Sequence, residues 1–257
     1  MLDLSNSGLN IKLDTETNTL ILPPNLETTP DRRLFKEIKP ILYEKVNLPE
    51  DLTLYLMYRD ICKPQHRDQM LQLNLRYDIT VIPPRMLGRE FVKTLGHYHP
   101  LASDNLTYPE IYEVLHGGAH FILQKLEDDI TDVILYEAER GDKLIIPPNY
   151  GHITINPKKE TLVTANFVNR GFKPIYQPII DKGGAAYFEI LEGENPKFIK
   201  NTNYMKLPRL RRAKPPSPKK LQLDNEPMYS TFEKNPRAFE FLSFPENFTD
   251  KITLPPR

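Results

Sequence analysis

The chain has 257 residues, with 25 Pro, 11 Gly, one Cys, no Trp and a formal net charge of zero. About 13 Pro and 18 Gly would be ordinary at this length, so a collagen-like repeat is excluded, and a long helical bundle or coiled coil is excluded because interior Pro breaks helices. One Cys excludes an internal disulfide scaffold, no apolar run reaches the roughly 18 residues of a membrane helix, and the start lacks a signal-peptide pattern, so a soluble cytoplasmic protein with one sizeable core is expected.

In chain order, Asn10 to Leu13 and Thr19 to Leu22 flank the polar string DTETN and predict a hairpin. Asp31 to Lys39 predicts a short helix that Pro40 stops. From there the chain reads as β. Apolar or alternating runs follow at Leu52 to Met57, Leu73 to Ile82, Phe91 to His99, Glu110 to Leu115 and Ala119 to Leu126. They continue at Asp132 to Glu137, Lys143 to Ile146, His152 to Ile155, Thr161 to Asn169 and Ala186 to Leu191. Most are short and separated by turn residues or Pro, which argues for an all-β sandwich or barrel. The pairs Pro83-Pro84 and Pro147-Pro148 fall at strand ends, where a missing N–H does no harm.

Residues 195–257 differ in character. They carry 13 Lys/Arg against 6 Asp/Glu, a net charge of +7, and 10 of the 25 Pro. The stretch from Lys206 to Lys220 has seven cations and no acid. It lacks any apolar period and is expected to be extended or polyproline-like, lying on the acidic body or reaching an anionic partner. The following PMYSTFEKNPRAFEFLSF is aromatic enough to pack on something. The expected organisation is N-terminal strands and a short helix over 1–50, a barrel over 51–194, and a Pro-rich basic extension over 195–257.

Five of the six His lie between 97 and 152. Residues i and i+2 of a strand share a face, so His97 and His99 can reach one ion. Glu110 opens the next strand-like run, and His152 follows the turn PPNYG. Three imidazoles and a carboxylate suit a divalent transition metal such as Fe, Mn, Ni or Zn and leave positions open for substrate. An H-x-H pair alone is weak, since His is often a plain polar strand residue. The spacing adds weight. It reads H-x-H-x10-E-x6-G from His97 to Gly117, and G-x5-P-x4-H-x3-N through Gly141, Pro147, His152 and Asn156.

These blocks resemble the two motifs of the cupin superfamily, small β-barrels of jelly-roll type. That family normally has three or four residues between the second His and the Glu, so Pro100 to Pro109 is expected to form an extra loop at the barrel mouth. Asn149 stands where a Gly is usual, and Asn tolerates the left-handed backbone a turn needs. The strings TLGHYHP, YPEIYEVLHGG, PPNYGHITIN and IDKGG resemble, more closely, the cupin-type glucose-6-phosphate isomerases found chiefly in archaea. The likeness spans roughly residues 10–195.

That resemblance implies a metal-dependent aldose–ketose isomerase of glycolysis and gluconeogenesis, homodimeric, acting on a small sugar phosphate, with no nucleic-acid or membrane partner. By position it makes His97, His99, Glu110 and His152 the metal ligands, and Thr80, Thr94, Gly96, Tyr112 and Tyr176 the substrate contacts. A bound metal would polarise the sugar oxygens, with Glu110 shuttling a proton between C1 and C2. Alternatively the hydride shifts directly and Glu110 only ligates. Tyr112 would donate a hydrogen bond. Pro174 departs from the family, which often has His there, and this puts ring opening or proton transfer in doubt, with Lys173 and Tyr176 as neighbours.

No phosphate loop is present. Lys93, Arg85 and Arg89 are candidates for the mouth, or an ordinary exposed strand edge. Thr80 and Thr94 offer hydroxyls and backbone N–H groups to a phosphate, or are plain strand residues. His116 and His120 flank Gly117-Gly118 and read as polar strand positions rather than a second metal site. His66 reads as a loop residue, Cys62 as unreactive, and Glu127-Asp128-Asp129 as a hairpin turn. Two other readings stand beside the isomerase. One is a different cupin enzyme, a dioxygenase or mannose-6-phosphate isomerase. The other is a non-catalytic sugar-binding cupin. Because every ligand candidate precedes the tail, a chain ending near Glu194 is expected to keep metal and activity, checked by metal content and turnover.

Overall fold

The fold is taken from a computed structural model that describes residues 1–252 apart from 27, 128, 216–217 and 224–225. Asp128 of the acidic turn and Pro216 and Ser217 of the basic stretch therefore lie outside the described residues. While the N-terminal hairpin and Tyr187–Glu192 belong to smaller sheets of their own, most of the apolar runs become strands of two facing sheets. One has six strands in the order Lys143–Ile146, Glu110–His116, Leu162–Asn169, Leu75–Ile82, Thr53–Tyr58 and Asp31–Leu34. All neighbours in it are antiparallel. The second has four, ordered Tyr150–Ile155, Gly118–Leu126, Ile130–Glu139 and Arg211–Ala213. From residue 110 to 169 the chain passes repeatedly between the two sheets. That crossing is the jelly-roll barrel of the cupin type.

Strand alternation decides what faces inward. Along Leu75–Ile82, the side chains of Leu75, Tyr77, Ile79 and Val81 enter an outer apolar cluster. Arg76 and Thr80 face the barrel interior and line its cavity. The outer cluster is not open to water. N-terminal residues Leu4, Leu9, Ile11 and Leu13 cover part of it, and Met228, Tyr229, Phe232, Phe239 and Phe241 cover the rest. Both faces of the six-stranded sheet are thus buried.

The tail joins this architecture at several points. Asn195–Lys200 pairs with Tyr187–Glu192, so a boundary at 194 falls inside a hairpin. Within the stretch expected to be extended or polyproline-like, Arg211–Ala213 is extended and pairs as a strand parallel to Ile130–Glu139. Its cations meet acids of the body: Arg211 holds Asp132 at 2.7 Å, and Arg212 holds Glu137 at 3.0 Å. The helix Met228–Lys234 is anchored by the buried Glu113 carboxylate, which accepts from Met228 N–H at 2.8 Å. Tyr229 packs edge-on against Tyr77 and Phe239 packs at a tilt against Phe167, with centroids 5.2 and 4.5 Å apart.

Two other expectations change. Asp31–Leu34 is a strand paired with residues 53–57; only Phe35–Ile38 is α-helical, and a 3-10 turn over Lys39–Ile41 carries it past Pro40. Cross-strand pairing outweighs the local helix signal there. The run from 91 to 99 is not a continuous strand either. Only Glu90–Phe91 is regular, and isolated bridges join Lys93 to Ile155, His97 to His152 and Tyr98 to Ile175. Gly96 interrupts it at φ +72°. The DTETN hairpin forms between Lys12–Asp14 and Thr19–Ile21. Residues 101–103 and 106–107 form a small hairpin within the expected extra loop, and Asn149 sits at φ +68°.

The tail contacts reverse the expectation for truncation. Ending the chain near Glu194 removes a paired strand and bares the outer aromatic cluster, so such a protein should be recovered aggregated or unfolded by circular dichroism. In the full chain, Phe232→Ala should lower the unfolding free energy by about 3–5 kcal/mol in urea titrations, the usual cost of removing a buried Phe.

Candidate metal centre

His97 and His99 follow the left-handed turn at Gly96, and His152 lies on the facing strand. Backbone bonds lock the two segments together, His97 N–H to His152 O at 3.1 Å and His152 N–H to His97 O at 3.0 Å. Glu110 comes from the adjoining sheet. One ligating atom from each of His97, His99, Glu110 and His152 lies within 4.8 Å of all the others. Nε2 of His97 is 3.2 Å from Nε2 of His99. Oε2 of Glu110 lies 3.3 Å from His99 Nε2 and 3.5 Å from His152 Nε2.

The donor set fits a divalent transition metal. Glu110 is buried, and its Oε2 has no hydrogen-bond partner. An unmatched buried carboxylate oxygen is costly unless a cation answers it. Burial holds the His97 and His152 imidazoles well below their ordinary range. For His97 the neighbouring His152 and His99, then Arg59 and Arg33, add to that effect. Neutral imidazoles are the ligating form.

Outer contacts fix the ligands' aim. Asn166 Nδ2 donates to Glu110 Oε1 at 2.7 Å, which leaves Oε2 for the centre. His99 Nδ1 lies 2.6 Å from the carbonyl of Tyr108, so Nδ1 carries the proton and Nε2 presents its lone pair. Phe172 packs on the His99 ring with centroids 4.6 Å apart. The Tyr112 hydroxyl is no outer partner: it lies 3.0 Å from His152 Nε2, the nitrogen that faces the centre. Burial, and next the charge of Glu110, push the Tyr112 phenol well above its ordinary pKa, so it stays protonated.

One cavity opens beside the centre. Its wall includes His97, Glu110, His152, Thr80, Thr94, Gly96, Tyr112 and Tyr176, and also Pro174. His99 lines a separate cleft with Tyr98, Leu101 and Thr107. A family model described as glucose-6-phosphate isomerase matches residues 33–206, more than half of the chain and the whole of this site. The chain belongs to that family. The glucose-6-phosphate isomerase of Thermococcus gammatolerans is 29% identical over 168 residues, which cover 61% of this chain and 78% of the relative. That of Pyrococcus furiosus is 28% identical over 176 residues, 68% of this chain and 82% of the relative. Among solved structures, oxalate oxidase in complex with glycolate overlaps 52% of this chain and 61% of its own, at TM-score 0.39 and 14% identity. The fold assignment here rests on strand order.

Within this member of the isomerase family, the cations named from sequence lie elsewhere. Lys93 is buried on Glu90 and donates to the Ile41 carbonyl at 2.8 Å. Arg89 is held by Glu44, and Arg85 lines a separate surface cleft. Neither reading offered for these three, mouth or plain exposed edge, describes Lys93. His120 binds the buried Glu189 at 2.8 Å and His116 faces Glu160 at 3.4 Å, both away from the centre. His66 is at the Tyr229–Glu233 contact. Sequence reading missed Arg33, Tyr55, Arg59, Arg76 and Asn166, which all line the cavity. Their signal was strand parity: Arg76 shares a face with Thr80, and Asn166 pairs with Asp78 and Tyr112.

His152→Ala protein should lose its bound metal by elemental analysis while keeping its circular dichroism spectrum. Asn166→Ala should weaken metal affinity by about 10–100-fold in chelator competition, the usual effect of removing such an outer partner.

Proposed function

We propose that this chain is a metal-dependent aldose–ketose isomerase that interconverts glucose 6-phosphate and fructose 6-phosphate. The observation that carries the reading is the coincidence of the family match with the His97–His99–Glu110–His152 cluster inside one cavity. His97, His99, Glu110 and His152 would hold the ion, which when bound supplies Lewis-acid polarisation at the sugar's C1 and C2 oxygens.

The chain's own groups supply the rest. Asn166 pins one Glu110 oxygen, so the other is the one that would exchange between holding the ion and proton transfer. In the proton-shuttle route it carries the hydrogen between C1 and C2. In the hydride route it serves as a ligand alone. Tyr112 is buried and protonated, and so acts as a hydrogen-bond donor to a developing oxyanion. Thr80, Thr94, Gly96 and Tyr176 line the same cavity and would contact the sugar phosphate. Pro174 offers no proton, so a side chain there takes no part in ring opening. The family match favours this reading over a dioxygenase, a mannose-6-phosphate isomerase or a non-catalytic sugar-binding cupin.

The ion would be Fe, Mn, Ni or Zn, all of which accept imidazole and carboxylate ligands. A homodimer, a cytoplasmic location and a role in glycolysis and gluconeogenesis belong to the same proposal and rest on the family relationship. No helix among the described residues is long and apolar enough to cross a membrane.

A coupled assay for fructose 6-phosphate tests the function. Purified protein should turn over, lose activity on chelation, and regain it with a divalent transition metal. Absence of turnover in every metal-loaded form would sink the proposal. In the proton-shuttle route Glu110→Gln should lower kcat by about 10²–10⁴-fold beyond any metal loss, measured at saturating metal. Product formed in D2O should then carry solvent deuterium; the hydride route predicts none.

A further inference from the structure

Ten residues separate His99 from Glu110, and the hairpin they form is tied to the turn that leads into His152. The tie is a clasp between Thr107 and Asn149. The Thr107 N–H donates to Asn149 Oδ1 at 3.1 Å, and the Asn149 N–H donates to Thr107 Oγ1 at 2.7 Å. Asn149 Nδ2 adds a third bond, to the Asn105 carbonyl at 2.9 Å. Two of the three use the Asn149 side chain. Asn149 stands at φ +68°, a conformation that Gly adopts without strain. Gly there would keep the turn and lose those two bonds.

The clasp lies next to the group that aims His99. Tyr108 follows Thr107 directly. Its carbonyl accepts from His99 Nδ1 at 2.6 Å, and its N–H donates to the Pro100 carbonyl at 3.1 Å, which closes the base of the hairpin. Its ring stacks on Phe172, with centroids 5.9 Å apart and planes 17° from parallel. Phe172 in turn packs on the His99 ring. The carbonyl of Tyr108 therefore sets the tautomer of His99, and its ring backs the aromatic side chain that holds the imidazole in place.

The clasp also stands between the lead-ins to two further ligands. Glu110 opens its strand two residues after Tyr108, and His152 comes three residues after Asn149. Thr107 and Asn149 line the outer cleft that reaches His99. With the clasp closed, the Tyr108 carbonyl occupies the Nδ1 edge of the ring. With it broken, water in the cleft competes for that N–H, and the ring gains freedom to turn or to move its proton to Nε2. Either change removes the Nε2 lone pair from the centre.

We propose that Thr107 and Asn149 are positioning residues for the metal centre. Their clasp holds the 100–109 hairpin so that Tyr108 fixes the tautomer and aim of His99, and it joins that ligand to the turn that carries His152. Both residues act through His99 rather than on the substrate. The proposal rests on the reading of the four-residue cluster as a metal centre, but the effect on His99 is testable in metal-free protein.

The test uses the full-length chain, with Zn2+ as probe in competition against a chelator and heteronuclear NMR of the imidazoles in metal-free protein. Asn149→Gly should weaken Zn2+ binding by about 10-fold, the lower end of the range for losing an outer partner of a ligand. The His99 resonances should change from a single Nδ1–H tautomer to an exchanging pair, with the circular dichroism spectrum unchanged. Thr107→Val, which loses the hydroxyl acceptor, should do the same, and Thr107→Ser should restore both readouts. If Asn149→Gly fails to fold, the Thr107→Val and Thr107→Ser pair decides the point. Zn2+ affinity and His99 resonances that match the parent in the folded variants would overturn the proposal, even with a lowered melting temperature. A parent chain that takes up no divalent metal would remove the metal reading, and the metal-free resonances would still decide whether the clasp sets His99.

Discussion

Glu110 is buried with one oxygen pinned by Asn166 and the other without a hydrogen-bond partner, facing imidazoles 3.3 and 3.5 Å away. Isolated, such an oxygen would be an expense to the fold. Its surroundings are arranged around that constraint. The His97–His152 backbone bridge ties the segment after Gly96 to the edge strand of the four-stranded sheet. The Tyr108 carbonyl sets the orientation of His99. Burial keeps His97 and His152 in the form that binds metal. The fold's own contacts therefore set the shape of the centre.

The same sheet explains the tail. A six-stranded sheet with one polar, cavity-lining face must bury its other face or expose a broad apolar surface. Here the outer face is closed by the chain's own ends: Leu4, Ile11 and Leu13 on one side, and Tyr229, Phe232 and Phe239 on the other. The charge asymmetry follows. Arg211 and Arg212 sit on Asp132 and Glu137, so the basic stretch supplies countercharge to the body as well as a parallel edge strand. The proline excess has a local sense too, since Pro218, Pro227 and Pro236 stand at the starts of short helical turns.

Much of the barrel was legible because its strands are short, apolar and punctuated by Pro and Gly. The histidine cluster was legible because i and i+2 spacing and the distance to Glu110 and His152 form a pattern in one dimension. Three things were not. The 31–34 segment reads as helix locally, and only its pairing with 53–57 makes it a strand. Lys93 reads as a mouth cation, and only tertiary packing shows it sealed on Glu90. Arg59 and Arg76 lie 17 residues apart in sequence among apolar neighbours, and nothing local says that Asp78 unites them.

By itself the sequence determined the strand-rich class, the four residues that converge, the turn at Asn149 and the resemblance to the isomerase family, because these depend on spacing along one chain. Tertiary structure decided which cations face the cavity, how the tail is used, and which oxygen of Glu110 is left unpaired. Those depend on register between strands far apart in sequence, where a shift of one residue sends every side chain to the opposite face.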